Sequence, residues 1–237
     1  MIKQVAIGFL DGVDPVEADR WYFRYHSKEC VRFFGPWLRR YESYRAFQPP
    51  TDAQEYGVKQ GRLTELWYDS VDSYIEAKPY NWPFTKSAFT RVTPTSPTAG
   101  ALVPAMPTED FLGKAPAPEE RPIVRWVYAL KYPATVSESQ GEKWYLDTHC
   151  PEVAKHPGIL KFVSHKAIEE SPMPSKWLRI SEIWFEDTIS WRKAILDPAN
   201  EFTRPPWHAQ PPFFEITSIF VGYKPDVDFL KDNPTIP

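Results

Sequence analysis

An internal repeat is the feature that most constrains how this chain can fold, because a duplicated sequence must build the same unit twice. Five residues of the 237-residue chain recur after a constant spacing of 123 positions: Trp21, Tyr22, His26, Glu29 and Gly35 return as Trp144, Tyr145, His149, Glu152 and Gly158. A second block, Thr64 to Asp69, returns 117 positions later as Ser181 to Glu186. Tryptophan and histidine are among the rarer residues of the chain, so a match in one register is not expected by chance. The sequence therefore predicts one ancestral unit written twice.

Each copy has the same predicted order of elements, βαββαβ, which is the ferredoxin-like motif. The predicted strands cover 4–10, 37–47, 62–68, 124–132, 159–168, 177–185 and 215–223. The predicted helices cover 71–77, 137–149, 188–196 and a segment that starts near Pro15, with Asp14 as its N-cap. The closing strand of the first copy is expected somewhere in 88–103. The proline-rich stretch 94–122 is expected to be an ordered but irregular connector.

The bare face of each predicted sheet indicates how the two units pack together. A four-stranded sheet covered by helices on one side leaves its other face bare, and two such sheets can bury both bare faces against each other. We therefore predict an α+β fold in which two tandem ferredoxin-like units, residues 1–118 and 119–237, pack sheet to sheet as an intrachain α+β barrel. Such a chain would be a monomeric pseudo-dimer, and a homodimer of these pseudo-dimers is the alternative.

Charge and hydropathy exclude several classes of partner. The net charge is −3 and the pI is near 6.0, and neither sign forms a long block, which argues against nucleic acids and anionic membranes as partners. The apolar stretches are too short to span a bilayer, and the N-terminus lacks the features of a signal peptide. Cys30 and Cys150 have no metal-type spacing. A reduced, cytoplasmic setting with two buried thiols is therefore expected.

The aromatic content suggests what the barrel holds. Aromatic residues make up 16% of the chain, including 10 tryptophans, beside 26 prolines. This composition predicts ordered, loop-rich connections and either a cavity with flat apolar walls or a bulky core. The expected partner is a small hydrophobic or aromatic molecule. The long loop 198–212, which contains Trp207 and His208, is predicted to be a lid or pocket wall that binds this substrate.

The repeated helix residues could carry chemistry. Tyr22 and His26 are four residues apart, so they can share one helix face, and Tyr145 and His149 repeat this spacing. An imidazole is a natural acid or base near neutral pH, and a tyrosine hydroxyl can stabilise charge on a substrate oxygen. Glu29 and Glu152 could hold the imidazoles or bind substrate, although Pro151 is expected to end the second helix before Glu152. The alternative is that these side chains only pin each helix to its neighbours. No metal site is predicted, because convergent carboxylates are lacking.

The motif resembles a known family. The pattern from Trp144 to Gly158, followed by a strand with Glu182 to Phe185, is similar to the EthD-type branch of the dimeric α+β barrel superfamily. The first copy departs from the pattern, because Lys28 replaces the proline and Gly35-Pro36 reverses the Pro-Gly pair. The resemblance implies cofactor-free enzymes and accessory proteins: polyketide cyclases, isomerases, dehydratases and monooxygenases. It also implies haem, bound through a histidine, as a weaker alternative.

These observations lead to one functional expectation and two rivals. We expect a cofactor-independent lyase or isomerase, of the cyclase or dehydratase type, that uses His26 or His149 as general acid or base with Tyr22 or Tyr145 assisting. The first rival is a haem enzyme of the same superfamily. The second is a non-catalytic accessory protein that binds a hydrophobic metabolite.

Overall fold

The first helix of each half begins at a side-chain cap. The computed structural model describes residues 1–10, 12–77, 98–113, 123–169, 171, 175–208 and 210–232. Asp14 accepts hydrogen bonds from the backbone of Val16 and Glu17, both at 2.9 Å, as the N-cap prediction required. In the second half, Ser137 and Gln140 form a reciprocal capping box.

The first half has the predicted order of elements. Its bounds are β1 (Ile2–Phe9), α1 (Pro15–Trp21), a π-helical turn (Tyr22–His26), α2 (Ser27–Phe34), β2 (Leu38–Arg45), a 3₁₀ turn (Thr51–Tyr56), β3 (Gly61–Tyr68), α3 (71–77) and β4 (Thr98–Leu112). The strand order is β4-β1-β3-β2, all antiparallel.

The second half repeats this arrangement. Its bounds are β5 (Val124–Lys131), α4 (Glu138–Trp144), a second π turn (Tyr145–His149), α5 (Cys150–Ala154), β6 (Ile159–Ala167), β7 (Arg179–Phe185), α6 (Thr188–Ile195), β8 (Glu215–Gly222) and β9 (Val227–Asp228). The strand order β8-β5-β7-β6 is that of the first half. Equivalent strands also pair in the same register. Gly8 on β1 lies opposite Arg62 on β3, and Leu130 on β5 lies opposite Arg179 on β7.

The two halves join edge to edge and form the predicted α+β barrel. Strand β4 of the first half pairs with β6 of the second, and β9 of the second half pairs with β2 of the first. The sheet curls until Phe47 N donates to Phe220 O at 2.9 Å, next to a bridge between Ala46 and Val221. One apolar cluster inside the barrel draws residues from both halves, such as Val5, Val103, Val127 and Ile219. The helices pack on the outer face of the sheet, over a separate core in each half.

A ring of four buried charges joins the halves inside the barrel. Arg125 donates to Glu65 at 2.6 Å and to Glu182 at 2.8 Å, and Lys3 lies 3.3 Å from Glu65 and also pairs with Glu182. All four residues are buried, with relative exposures of 2% to 4%. Lys3 and Glu65 belong to the first half, and Arg125 and Glu182 occupy the equivalent strand positions of the second. The two positive and two negative charges of the ring pair with each other. This pairing offsets the cost of burying ions away from water.

Two predictions of secondary structure were wrong, and one strand was missed. The stretch 94–122 is not an irregular connector throughout, because 98–112 form the fifteen-residue strand β4, in which Pro107 lies at a register irregularity. The helix does not end at Pro151, because α5 continues to Ala154 after the π turn. The short strand β9 was not predicted at all. The proposed boundary at 118/119 lies outside the described residues.

Candidate active site

Both Tyr–His pairs lie on π-helical turns at the same place in each half. The amide of Ser27 donates to the carbonyl of Tyr22, five residues back, and the amide of Cys150 donates to that of Tyr145. Single π turns within α-helices are rare and are often found at functional sites. The ring centroids of Tyr22 and His26 are 5.4 Å apart, and those of Tyr145 and His149 are 5.6 Å apart. The structure thus brings each predicted pair together.

The tyrosine hydroxyls are bound to the sheet beneath the helices. Tyr22 Oη lies 2.8 Å from Thr64 Oγ1 and 3.2 Å from Tyr41 Oη. Tyr145 Oη lies 2.9 Å from Ser181 Oγ and 2.9 Å from Tyr128 Oη. Burial raises the pKa of both Tyr22 and Tyr145 above the ordinary value for tyrosine. Both phenols are therefore neutral hydrogen-bonding groups at physiological pH.

His26 is stacked on a tryptophan and faces a thiol. Its ring lies 4.7 Å from that of Trp21 at an interplanar angle of 23°, and its Nε2 is 3.6 Å from Cys30 Sγ. Burial lowers the pKa of His26 to about 4, because an imidazolium would lose its hydration there. The imidazole is therefore neutral near pH 7. Cys30 was expected to be only a small apolar residue; its contact with His26 follows from the i, i+4 spacing on the helix.

His149 lies within a shell of aromatic rings. Trp144 and Tyr145 stack near it, with centroids at 5.0 and 5.6 Å, and three further rings lie within 6.2 Å, those of Phe202, Phe213 and Phe214. Its Nδ1 is buried and has no hydrogen-bond partner among the described residues. Burial lowers the pKa of His149 to about 3. This imidazole is also neutral.

The other predicted site residues have different surroundings. Glu152 accepts from Thr203 N at 2.9 Å and from Thr203 Oγ1 at 2.6 Å, so it anchors the loop after α6 instead of holding an imidazole. Trp207 packs on Trp144 and donates to Phe213 O at 3.0 Å, so it forms part of the cover over His149. His208 is exposed, and its Nδ1 accepts from Gln210 N at 3.2 Å. Glu29 is half-buried on α2.

A cleft of about 80 Å³ opens beside Tyr22 in the first half. Tyr22, Ala18, Leu10, Asp19 and Arg62 are among its lining residues. The guanidinium carbon of Arg62 lies 5.0 Å from the Tyr22 ring centroid, close enough for a cation–π contact. The cleft thus has an aromatic wall at Tyr22 and a polar wall at the ion pair of Arg62 with Asp19, a combination that suits an oxygenated aromatic compound.

The equivalent space in the second half is filled by Tyr132. By strand register Tyr132 corresponds to Leu10, and Gly141 corresponds to Ala18. The Tyr132 ring lies so close to Gly141 that a Cβ there would be 2.3 Å from it. Its hydroxyl donates to Glu142 Oε1 at 2.7 Å. The larger residue after β5 therefore occupies the space that the first half leaves open beside Ala18.

The surroundings of the two histidines do not fit a haem. An axial histidine must present a ring nitrogen to an opening wide enough for a porphyrin. Nε2 of His26 faces the Cys30 thiol instead, and five aromatic rings surround His149. Within the described part of the chain, no group of three or more His, Cys, Asp or Glu residues is arranged to hold a metal ion.

Comparison with known families gives one match. Residues 5–97 match the model of the chalcone isomerase N-terminal domain. This segment contains Tyr22, His26 and Glu29 but neither Tyr145 nor His149. No curated protein matches the chain.

Comparison with solved structures supports the fold. An anthrone oxidase-like protein superimposes with a TM-score of 0.56 at 11% identity, over 93% of this chain and 90% of its own. A mutant chlorite dismutase from Candidatus Nitrospira defluvii superimposes with a TM-score of 0.50 at 10% identity, over 94% of this chain and 92% of its own. At such low identity these likenesses support the α+β barrel alone, and the EthD-type resemblance stays a prediction. Among the described residues, no helix has the length and hydropathy needed to cross a membrane.

Proposed function

We propose that this chain is a cofactor-independent enzyme that transfers a proton within a small, hydrophobic, oxygenated aromatic substrate. Isomerisation is the leading reaction, and cyclisation or dehydration would use the same groups. The observation that carries the proposal is the π turn on which the neutral imidazole of His26 contacts the ring of Tyr22, because Tyr22 in turn lines the cleft. The match to a chalcone isomerase domain over 5–97 supports the isomerase assignment.

The pKa of about 4 leaves the His26 imidazole free to accept a proton near pH 7, but a general base works best when its pKa lies near the operating pH, so the bound substrate must raise the pKa. A base with a pKa of about 4 does not hold a proton on its own near pH 7. A developing enolate or phenolate beside it favours the imidazolium, because an opposite charge raises the pKa of the ring. The ion pair would then form only as the substrate proton moves, and the interaction is strongest in the transition state. Tyr22 and Arg62 both line the cleft, so a substrate bound there would contact them.

Two differences between the halves support the first half as the site of the proposed reaction. The first half keeps the cleft that Tyr132 fills in the second, and the family match covers the first half only. His149 is enclosed by aromatic rings that would have to move before a substrate could reach it. In this proposal the second half retains the Tyr–His arrangement as packing.

The two helix histidines provide a matched test. We expect the wild type to close a hydroxychalcone to the flavanone, measured by the loss of chalcone absorbance. The His26→Gln variant should lose about 10²–10⁴-fold in kcat, the range for a lost general acid or base. The His149→Gln variant makes the same change at the equivalent position and should retain its kcat. Full activity of His26→Gln, or a loss in His149→Gln alone, would refute the assignment.

A further inference from the structure

A buried arginine lies beneath the Tyr–His helix in each half. Arg62 on β3 is 8% exposed, and Arg179 on β7 is fully buried. Arg62 donates from Nη1 to Ser43 Oγ and from Nη2 to Asp19 Oδ1, both at 2.8 Å. Arg179 donates from Nε to Ser164 Oγ at 2.8 Å and from Nη1 to Glu142 Oε2 at 2.7 Å. Each arginine therefore connects its helix to its sheet.

A further partner of each arginine comes from the opposite half of the chain. Asp226, which precedes β9, lies with Oδ2 3.3 Å from Arg62 Nη1 and also accepts from the Arg45 amide at 2.6 Å. Glu109 on β4 accepts from Arg179 Nη2. Asp226 follows Glu109 by 117 positions, the same spacing that relates Arg179 to Arg62. Each half thus supplies one carboxylate to the buried arginine of the other half.

The partners of the two arginines lie close in sequence to the two tyrosines and to the residues that bind the tyrosine hydroxyls. Asp19 lies three residues before Tyr22, and Glu142 lies three residues before Tyr145. The residues that hold the tyrosine hydroxyls, Thr64 and Ser181, lie two residues after the two arginines and on the same strands. Loss of a carboxylate would leave a buried guanidinium with fewer partners, and buried ions that lose a partner force their surroundings to rearrange.

We propose that Asp226 is a positioning residue for the Tyr22–His26 site and that Glu109 has the same role at the Tyr145–His149 pair, so that each half holds the helix of the other in place. Neither carboxylate touches the reacting atoms. Each acts through an arginine and the helix bound to it. For catalysis, this inference rests on the proposed function of the first half.

The isosteric variants Asp226→Asn and Glu109→Gln of the full chain form a matched pair. Proton–carbon NMR of the histidine ring Cε1–H groups, assigned with the His26→Gln and His149→Gln variants, reports on each site without any substrate. We expect Asp226→Asn to shift the His26 signal and leave that of His149 in place, and Glu109→Gln to do the reverse. Unchanged signals in both variants, or equal shifts of both signals in each variant, would overturn the proposal.

Measurement of kcat is a second test, which reports on catalysis and not on the surroundings of the histidines. Asp226→Asn should lower kcat on the hydroxychalcone by about 10-fold or more, because small displacements of catalytic groups are costly. Glu109→Gln should leave kcat unchanged, and Asp226→Glu should restore most of it. Equal losses of kcat in Asp226→Asn and Glu109→Gln would indicate general destabilisation and overturn the positioning role. If the wild type shows no turnover, the proposed function fails, and the NMR result alone decides the coupling between the halves.

Discussion

At the scale of single residues, the two halves show how small changes separate a cleft from a packed core. The Tyr–His pair is the same in both, and so are the stacked tryptophan and the π turn. Leu10 lines the cleft in the first half, whereas the ring of Tyr132 packs directly against Gly141 in the second half. The pairing of Tyr with His could be predicted from sequence spacing. The filling of the space beside it could not, because that depends on strand register.

The buried histidines should make folding depend on pH. Their pKa values, about 4 for His26 and about 3 for His149, lie below the ordinary value of 6.5. Between pH 6.5 and about 4 the unfolded chain therefore binds protons that the folded chain does not. The free energy of unfolding should fall with decreasing pH by at most about 1.4 kcal/mol per unit for each histidine.

Urea unfolding at a series of pH values measures this slope. The His149→Gln variant should have a shallower slope than the wild type over this window, because one depressed pKa has been removed. The exposed His208→Gln variant serves as control and should keep the wild-type slope. Identical slopes in all three proteins would contradict burial as the source of the pH dependence.

At the scale of elements, most helices and strands could be predicted from local patterns, and the exceptions share a cause. The π turns are not visible in the sequence, since the same residues would fit an ordinary α-helix. The prolines of strand β4 led to the prediction of an irregular connector. The segment nevertheless forms a strand, because it pairs with β1 on one side and with β6 on the other. Helix spacing suggested Glu152 as a partner of the imidazole or of the substrate, whereas in the structure it binds the loop residue Thr203. Contacts between segments that are distant in sequence explain the last two cases.

The packing of α4 on β5 gives a prediction at this scale. Alanine normally stabilises a helix interior relative to glycine by about 0.5–1 kcal/mol. In Gly141→Ala, however, the new methyl group would overlap the Tyr132 ring, and we expect a loss of about 1–3 kcal/mol in the free energy of unfolding. The first half tolerates Ala18 at this position because Leu10 takes the place of the tyrosine.

A double-mutant cycle with Tyr132→Leu tests this explanation. The combined variant recreates the Leu10–Ala18 pair of the first half and should be more stable than the sum of the two single effects predicts. Additive effects of Gly141→Ala and Tyr132→Leu in urea unfolding would mean that the two side chains do not compete for the same space.

At the scale of the whole molecule, the halves are joined by backbone pairing at the edges and by charge at the centre. The strand exchange through β4 and β9 carries Glu109 and Asp226 to the opposite half. The ring of Lys3, Glu65, Arg125 and Glu182 lies inside the barrel where the two inner sheet faces meet. A ring made of two charges from each half is complete only when both halves are folded and in register.

This ring should make the fold sensitive to the loss of one charge. In Lys3→Met, Glu65 and Glu182 would be left with Arg125 as their main cation, and breaking a buried ion cluster in this way costs about 3–5 kcal/mol. The matched control is Arg39→Met, which removes a salt bridge to Asp69 between side chains that are 49% and 53% exposed. An exposed pair contributes at most about 1 kcal/mol. Urea unfolding of the two variants at pH 7 should therefore show a much larger loss for Lys3→Met. Similar losses in both would mean that the buried ring contributes no more to joining the halves than a pair on the surface.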